Sequence, residues 1–326
     1  SSDFWVGRTD EIEQGMRAIQ NNREGYRGAL VVTGPSMSGK SAYCRFLSQK
    51  MFDKTRTYNV FPPRSGSLEI ERFKQALRDS LQVQGELTDI FQSVKENSVI
   101  ILHDLELWWG RHNDGLEVIE LVLRLIEDYG HRTLFMININ TAAFRFISKL
   151  LPLADHALSV VSCGPLSAEE LKNVILLRHR STGHRFRVDN KTEEQLSEWA
   201  LARIFTGAFD YSQGNVGVAL QAWVSHTESV KGSTLALRIP KTANTDLFDE
   251  LRMEWLALLV QFVLHKRLTR ERLLTITSAA EPSLAVSINT LIRMGIVTES
   301  SAGVLELNRY VAHMVINYLD ERGLLP

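Results

Sequence analysis

The sequence predicts an α/β chain: a parallel sheet covered by helices on both faces, then a helical region, then a unit of three helices and a hairpin. Three observations carry this expectation. Short apolar runs at 29–33, 98–102, 133–139 and 157–162 have the length and composition of buried strands. Helical stripes alternate with them, at 41–51 after the first run and at 115–129 between the second and third, where Leu116, Ile119, Leu123 and Ile126 share one side. Alternation of this kind is the pattern of a parallel sheet buried on both faces. Beyond Gly164-Pro165 the periodicity changes and reads as helical up to about residue 230.

In chain order, the first apolar run is followed by a glycine-bearing loop and a helix. The second ends in His103-Asp104 and the third in Asn138-Ile139-Asn140. After the fourth run, Ser167-Ala168-Glu169-Glu170 has the capping-box spacing that starts a helix, expected to run to about residue 180. Residues 231–244 are polar and mixed, contain Pro240, and fit a linker. Helices are expected at 246–264, 270–277 and 283–294. Two short strands follow at 296–299 and 304–307, joined by Ser300-Ser301-Ala302-Gly303, before a last helix. Three helices and a hairpin make the winged-helix arrangement.

At 326 residues the chain exceeds what one core usually fills, roughly 250–300 residues, so more than one domain is expected. Lys plus Arg number 37 against 38 Asp plus Glu; a net charge of -1 supplies no overall positive field to hold nucleic acid. The two cysteines, Cys44 and Cys163, match no disulfide framework or metal-ligand spacing, which points to a reducing compartment and hence the cytoplasm. The apolar stretch 255–264 is interrupted by Gln261 and is far short of the ~20 residues that span a bilayer. The chain starts Ser1-Ser2, without methionine or a signal-peptide pattern, and is expected to be a segment of a longer protein.

Gly34-Pro35-Ser36-Met37-Ser38-Gly39-Lys40-Ser41 matches GxxxxGK[ST], with Ala42 continuing into the helix. Glycines at the first and sixth positions permit a tight path that turns main-chain amides toward phosphate oxygens at a helix N-terminus. Lys40 supplies the cation for the terminal phosphates, and the Ser41 hydroxyl is a magnesium ligand. The match also sits between an apolar strand and a helix, where the mechanism requires it. A second strand should bring an acid beside the metal, and 99–106 is the candidate. Two registers are open. Asp104 can be the metal-side acid, leaving Glu106 to polarise water; or the usual acid pair falls on His103 and Asp104, with the first acid replaced by histidine.

Together these features resemble the AAA+ superfamily, in the branch of initiator and signal-transduction ATPases that end in a winged helix. The resemblance spans nearly the whole chain and implies a P-loop core at 1–165, a helical lid at 166–235 and a winged-helix domain at 245–326. Phe4-Trp5-Val6-Gly7-Arg8, followed by Asp10-Glu11-Ile12, is similar to the family's N-terminal segment, which implies that Val6, Gly7 and Arg8 lie against the adenine. Asn138 or Asn140 resembles the polar sensor that reaches the terminal phosphate. Strand alternation is expected to turn only one of them to the nucleotide, and Asn138 is the choice. Gln213-Gly214-Asn215-Val216-Gly217-Val218-Ala219-Leu220 resembles the second sensor region, implying nucleotide contact at Gly214 and Asn215. Gly217 stands where many relatives have an arginine; Arg178 or Arg180 could replace it. No arginine lies in 150–156, where relatives carry one for a neighbouring subunit, and Arg145 is the nearest candidate.

The resemblance implies ATP or ADP with Mg2+, a protein partner or self-association, and slow or partner-dependent hydrolysis. Groups that hold nucleotide are intact, whereas groups that accelerate its cleavage are altered. Asp104, Glu106 and Asn138 are the catalytic candidates, and Ser41 and Asp104 the metal candidates. DNA contact is weakly supported. The candidate reading helix, 283–293, has one basic residue, Arg293, and the hairpin tip has none; only 265–272 is locally basic.

Overall fold

The computed structural model describes residues 5–111, 114–189, 191–238 and 246–326, so Phe4 of the N-terminal segment lies outside the described residues. The first part contains, in order, α1 (Thr9–Arg23), β1 (Ala29–Gly34), α2 (Lys40–Met51), β2 (Thr57–Val60), α3 (Ile70–Leu81), α4 (Leu87–Ser93), β3 (Ser98–Leu102), α5 (Glu117–Tyr129), β4 (Thr133–Asn140), α6 (Thr141–Ser148) and β5 (Ala157–Ser162). The five strands form one parallel sheet in the order β2-β3-β4-β1-β5. Every residue of β1, β3 and β4 is buried, which is why these segments read as unbroken apolar runs rather than alternating ones. Alternation still decides the faces. Leu134 and Met136 pack with Tyr43 and Leu47 of α2, whereas Phe135, Ile137 and Ile139 pack with Ile119 and Val122 of α5.

Because the strands are parallel, their carboxyl ends share one edge, the place where open α/β sheets bind ligands. That edge receives the loop after β1, Asp104 after β3, Asn140 at the end of β4 and Gly164 after β5. Strand β2 was not expected; it is four residues long, lies at the sheet margin and buries only Val60, so it has no apolar run to betray it.

The second part holds α7 (Ala168–Arg180), β6 (Arg185–Val188), β7 (Lys191–Thr192), α8 (Glu198–Ser212), α9 (Val216–Ser225), β8 (Thr227–Lys231) and β9 (Thr234–Leu237). The expected capping box forms: Ser167 accepts from the Glu170 amide and the Glu170 carboxylate accepts from the Ser167 amide. The three helices are joined by a small sheet in the order β7-β6-β9-β8, which corrects the all-helical expectation for this region. Part of the expected linker is strand as well, since β9 covers 234–237. Phe186 and Val188 point inward between more exposed arginines, but a two-residue alternation is too short to distinguish from a helical stripe. The remainder of that linker, 239–244, lies outside the described residues.

The third part comprises α10 (Met253–His265), β10 (Arg267–Leu268), α11 (Arg270–Thr277), α12 (Glu281–Arg293), β11 (Val297–Glu299), β12 (Leu305–Leu307) and α13 (Ala312–Glu321). The β11–β12 hairpin gains β10 as a third strand, giving a three-helix and hairpin unit of winged-helix type. The helix expected at 246–264 is divided: a 3-10 turn covers 246–250, and α10 begins only after extended Arg252. Helix α10 is apolar nearly all round because it is buried nearly all round, its Leu259 and Phe262 joining the same cluster as Val31 and Ile137 of the sheet. The winged-helix unit therefore packs directly over the edge where the strands end. Among the described residues no helix is long and apolar enough to cross a membrane.

Candidate functional site

Strand β1 delivers the 34–41 loop from the middle of the sheet. Gly34 has φ 154°, and a Cβ there would stand 2.6 Å from Ser38 Oγ and 2.7 Å from the Cys163 carbonyl oxygen, so the close approach of two main chains requires glycine. Helix α2 starts at Lys40, and its unpaired N-terminal amides face back into the loop. The Lys40 ammonium donates to the Gly34 carbonyl at 2.8 Å and the Pro35 carbonyl at 2.9 Å. Burial lowers its pKa, with Glu106 pulling the other way and Lys266 adding to the fall. Behind it, Ser41 Oγ accepts from the Asn138 side-chain amide at 2.9 Å.

The two registers left open at the end of β3 are distinguished by where the side chains go. His103 turns away, its Nε2 lying 2.9 Å from Asn59 Oδ1 and its ring stacked on Phe61 with centroids 4.4 Å apart. Burial lowers its pKa to about 4, so the imidazole is neutral at physiological pH. Asp104 adopts φ 49°, and a 3-10 turn over 105–107 then carries Glu106 round to the same cavity. Asp104 and Glu106 line that cavity; His103 does not. Burial works against the charge on Asp104, but Lys266 beside it, with Lys40 and Arg267 behind, outweighs burial and holds the carboxyl below its ordinary value. Glu106 goes the other way: full burial, with Asp104 as a like-charged neighbour, raises its pKa. One of its oxygens accepts from the Asn140 amide at 3.2 Å.

A cavity of about 690 Å³ opens between the loop, the Asp104–Glu106 turn and the winged-helix unit. Pro35, Ser36, Met37, Ser38, Gly39, Lys40, Ser41 and Ala42 line it with Asp104 and Glu106. Several anticipated contacts do not. Val6 packs with the lid core, and the Gly7 main chain abuts Glu170. Arg8 is buried, donating to Ser38 O at 3.0 Å and Gly164 O at 2.7 Å, so it braces the loop from behind. Gly214 sits at the core–lid junction, its carbonyl accepting from the Leu166 amide at 2.9 Å. Asn215 reaches the loop main chain, donating to Ser36 O at 2.9 Å, and lines a smaller neighbouring cavity of about 110 Å³.

Asn138 and Asn140 require a correction. They stand two residues apart on one strand and so share a face, the face of Leu134 and Met136. Asn138 is wholly buried on Ser41, whereas Asn140 lines the cavity, caps α6 through its Oδ1 and donates to the Val263 carbonyl of α10 at 3.1 Å.

Among the described residues no lid arginine lines the cavity, and at position 217 the packing explains why. The Gly217 amide donates to the Met37 carbonyl at 2.9 Å, and a Cβ at 217 would meet that oxygen at 2.6 Å. Neither Arg178 nor Arg180 lines the cavity, and Arg180 pairs with Glu193 at 3.1 Å. Arg145 does line it.

The cation that sequence reading missed is Lys266. It appeared only as part of a basic run, yet its ammonium lies 2.7 Å from Asp104 Oδ1. Two arginines of that run are also held internally: Arg270 on Glu299 at 2.8 Å, and Arg272 on the carbonyls of Ser65 at 2.9 Å and Trp109 at 3.1 Å. His265 is fully buried. Little basic surface is left there for DNA phosphates.

These groups fit a nucleotide with magnesium. The loop offers amides and a buried ammonium for phosphate oxygens, while a hydroxyl and a carboxylate suit an ion that takes oxygen ligands and keeps several waters. Asn138 Oδ1 and Ser38 Oγ are buried polar atoms without hydrogen-bond partners beside this cradle.

No protein-family model matches the sequence, and no curated protein matches it either. Solved structures do. ORC2 of Aeropyrum pernix in its ADP form aligns over 97% of this chain and 93% of its own, at 12% identity and a TM-score of 0.51. Cdc6p of Pyrobaculum aerophilum aligns over 98% of both chains, at 14% identity and a TM-score of 0.51. RuvB of Thermotoga maritima, a Holliday junction branch migration motor, covers 95% of both at 14% identity and a TM-score of 0.45. The chain has the fold of the AAA+ P-loop ATPases.

Proposed function

We propose that this chain binds an adenine nucleotide with magnesium at residues 34–41 and uses it to set the positions of the lid and the winged-helix unit toward a macromolecular partner. Hydrolysis is slow or depends on that partner. The observation that supports this best is the convergence of three elements on the nucleotide edge. Strand β1 brings the loop, the turn after β3 brings Asp104, and the lid is hydrogen-bonded to the loop itself at Ser36 and Met37. A ligand in the loop acts where core, lid and winged helix meet, so its differential affinity for two arrangements becomes a force between them.

In this assignment Lys40 and the loop amides hold the phosphates, and Ser41 and Asp104 hold the metal. Bound magnesium would neutralise charge on the phosphates. Slow turnover follows from the groups present. Glu106 is driven toward its neutral form and already accepts a main-chain hydrogen bond, so it is a poor base toward water. Gly217 leaves the lid without a cation for the terminal phosphate. Protein association is favoured over DNA as the output because Lys266, Arg270 and Arg272 of the winged helix's basic run are engaged by internal partners.

The test is calorimetric titration of ATP and ADP, with magnesium, into the full chain, followed by phosphate release from the same material at several protein concentrations. Saturable binding with little phosphate release is expected; absence of binding refutes the assignment, and rapid release by the isolated chain refutes the switch-like activity.

A further inference from the structure

Lys266 belongs to the winged-helix unit and is held where that unit packs on the core. It follows His265, which is fully buried against Trp109 with ring centroids 4.4 Å apart. Its main chain has φ 61° and ψ −52°, a region non-glycine residues seldom occupy and retain only where the surroundings impose it. Both flanks are fixed. On one side α10 is held through the Asn140 side-chain amide, which donates to the Val263 carbonyl; on the other, Arg267 and Leu268 pair with β12. The ammonium that results is partly buried, faces the same cavity as Lys40, and contacts the Asp104 carboxylate.

We propose that Lys266 occupies the cation position at Asp104, so that docking of the winged-helix unit and magnesium loading of the nucleotide site oppose one another. This rests on the assignment of residues 34–41 and Asp104 to a magnesium nucleotide. The physical basis is a conflict of like charges. A divalent ion drawn to Asp104 meets an ammonium 2.7 Å from the same oxygen, and the two cations repel across a partly buried space. By linkage, whatever factor docking takes from magnesium affinity, magnesium takes from docking. Metal-free nucleotide has no such conflict, because its phosphate oxygens are attracted to Lys266 as they are to Lys40. Nucleotide alone therefore leaves the unit docked, and magnesium is the signal that frees it.

The experiment titrates magnesium into the full chain with saturating ATP and reads the midpoint by calorimetry. Hydrogen exchange of 258–268 is followed in parallel, with ATP plus chelator as the reference. In the wild type, exchange should rise in the last turn of α10 with magnesium and ATP but not with ATP and chelator. Lys266→Met should lower the magnesium midpoint by roughly two- to fivefold, the range for loss of one partly exposed ion pair, whereas Lys266→Arg should stay near wild type. Equal midpoints in wild type and Lys266→Met, or equal exchange in both wild-type arms, overturn the proposal while leaving nucleotide binding standing. Failure of the wild type to bind ATP with or without magnesium overturns the nucleotide assignment and this proposal together. The wild-type exchange comparison needs no variant, so it decides the matter even if Lys266→Met does not fold.

Discussion

Acidification offers a test of how the winged-helix unit is seated, through a single residue. His265 is fully buried and stacked on Trp109; no well-formed hydrogen bond reaches either ring nitrogen, and the Trp109 main chain offsets only a little of the desolvation. Burial first, then the charges of Arg272 and Arg111, lower its pKa from 6.5 to about 3. The sign follows from which state takes the proton. The unfolded chain binds it below about 6.5 while the folded chain refuses it until about 3, so stability is intact above the first value and falls with pH between them. Each unit in that window costs about 1.4 kcal/mol, and at pH 5 the loss from His265 is on the order of 2 kcal/mol. Urea unfolding at pH 7, 6 and 5 should show this loss in the wild type. In His265→Phe, which keeps the stacking and removes the titration, the loss should shrink by about that amount. Parallel pH profiles for the two proteins would refute the account of a neutral, desolvated imidazole. His103, lowered to about 4 by burial, adds a second acid-labile contribution of the same sign, which remains in the variant.

Three further outcomes are expected. Lys40→Ala should abolish the thermal stabilisation conferred by ATP, which at a hundredfold excess over Kd is worth about 2.7 kcal/mol; a melting shift equal to wild type would contradict the loop assignment. Gly217→Ala should destabilise the chain by about 1–3 kcal/mol in urea and weaken nucleotide binding, since its new methyl group strikes the Met37 carbonyl; wild-type stability would mean the lid does not sit on the loop. Glu106→Gln should be more stable than wild type at neutral pH. A carboxyl with a raised folded pKa favours folding below its unfolded value and loses that advantage as pH rises, so the gain should vanish below about 4.5; a gap independent of pH in thermal melts would exclude a buried, neutral acid.

What could be read in the sequence follows from how each feature is buried. The strands that became β1, β3 and β4 were legible because a parallel strand covered on both faces is an apolar run of distinct length, and β5, at the sheet margin, was legible from its apolar composition alone. The 34–41 loop was legible because its chemistry constrains consecutive residues. Strand β2 and the lid sheet were not, being short strands with only one or two buried side chains each. The expectation that alternation would separate Asn138 from Asn140 failed on a simple point, since residues two apart on a strand face the same way. Lys266 could not have been found: nothing local distinguishes it from the arginines around it, and its partner Asp104 is brought near only when α10 packs over the sheet edge. The aromatic N-terminal segment was legible as a motif, but its arginine serves the loop's main chain in place of the cavity.

That arginine ties two segments with one planar group. The Arg8 guanidinium is shared between the carbonyl of Ser38, inside the loop, and that of Gly164, where the chain leaves the sheet for the lid. A swing of the lid that shifts residue 164 must either drag this fork along or break it, and in both cases the loop feels the change through a rigid link. Conversely, tightening of the loop around an anion would tug on the hinge. The N-terminal strap thus joins the loop to the start of the lid through one side chain, and Arg8→Ala should remove that link while leaving the fold of each intact, as circular dichroism would check.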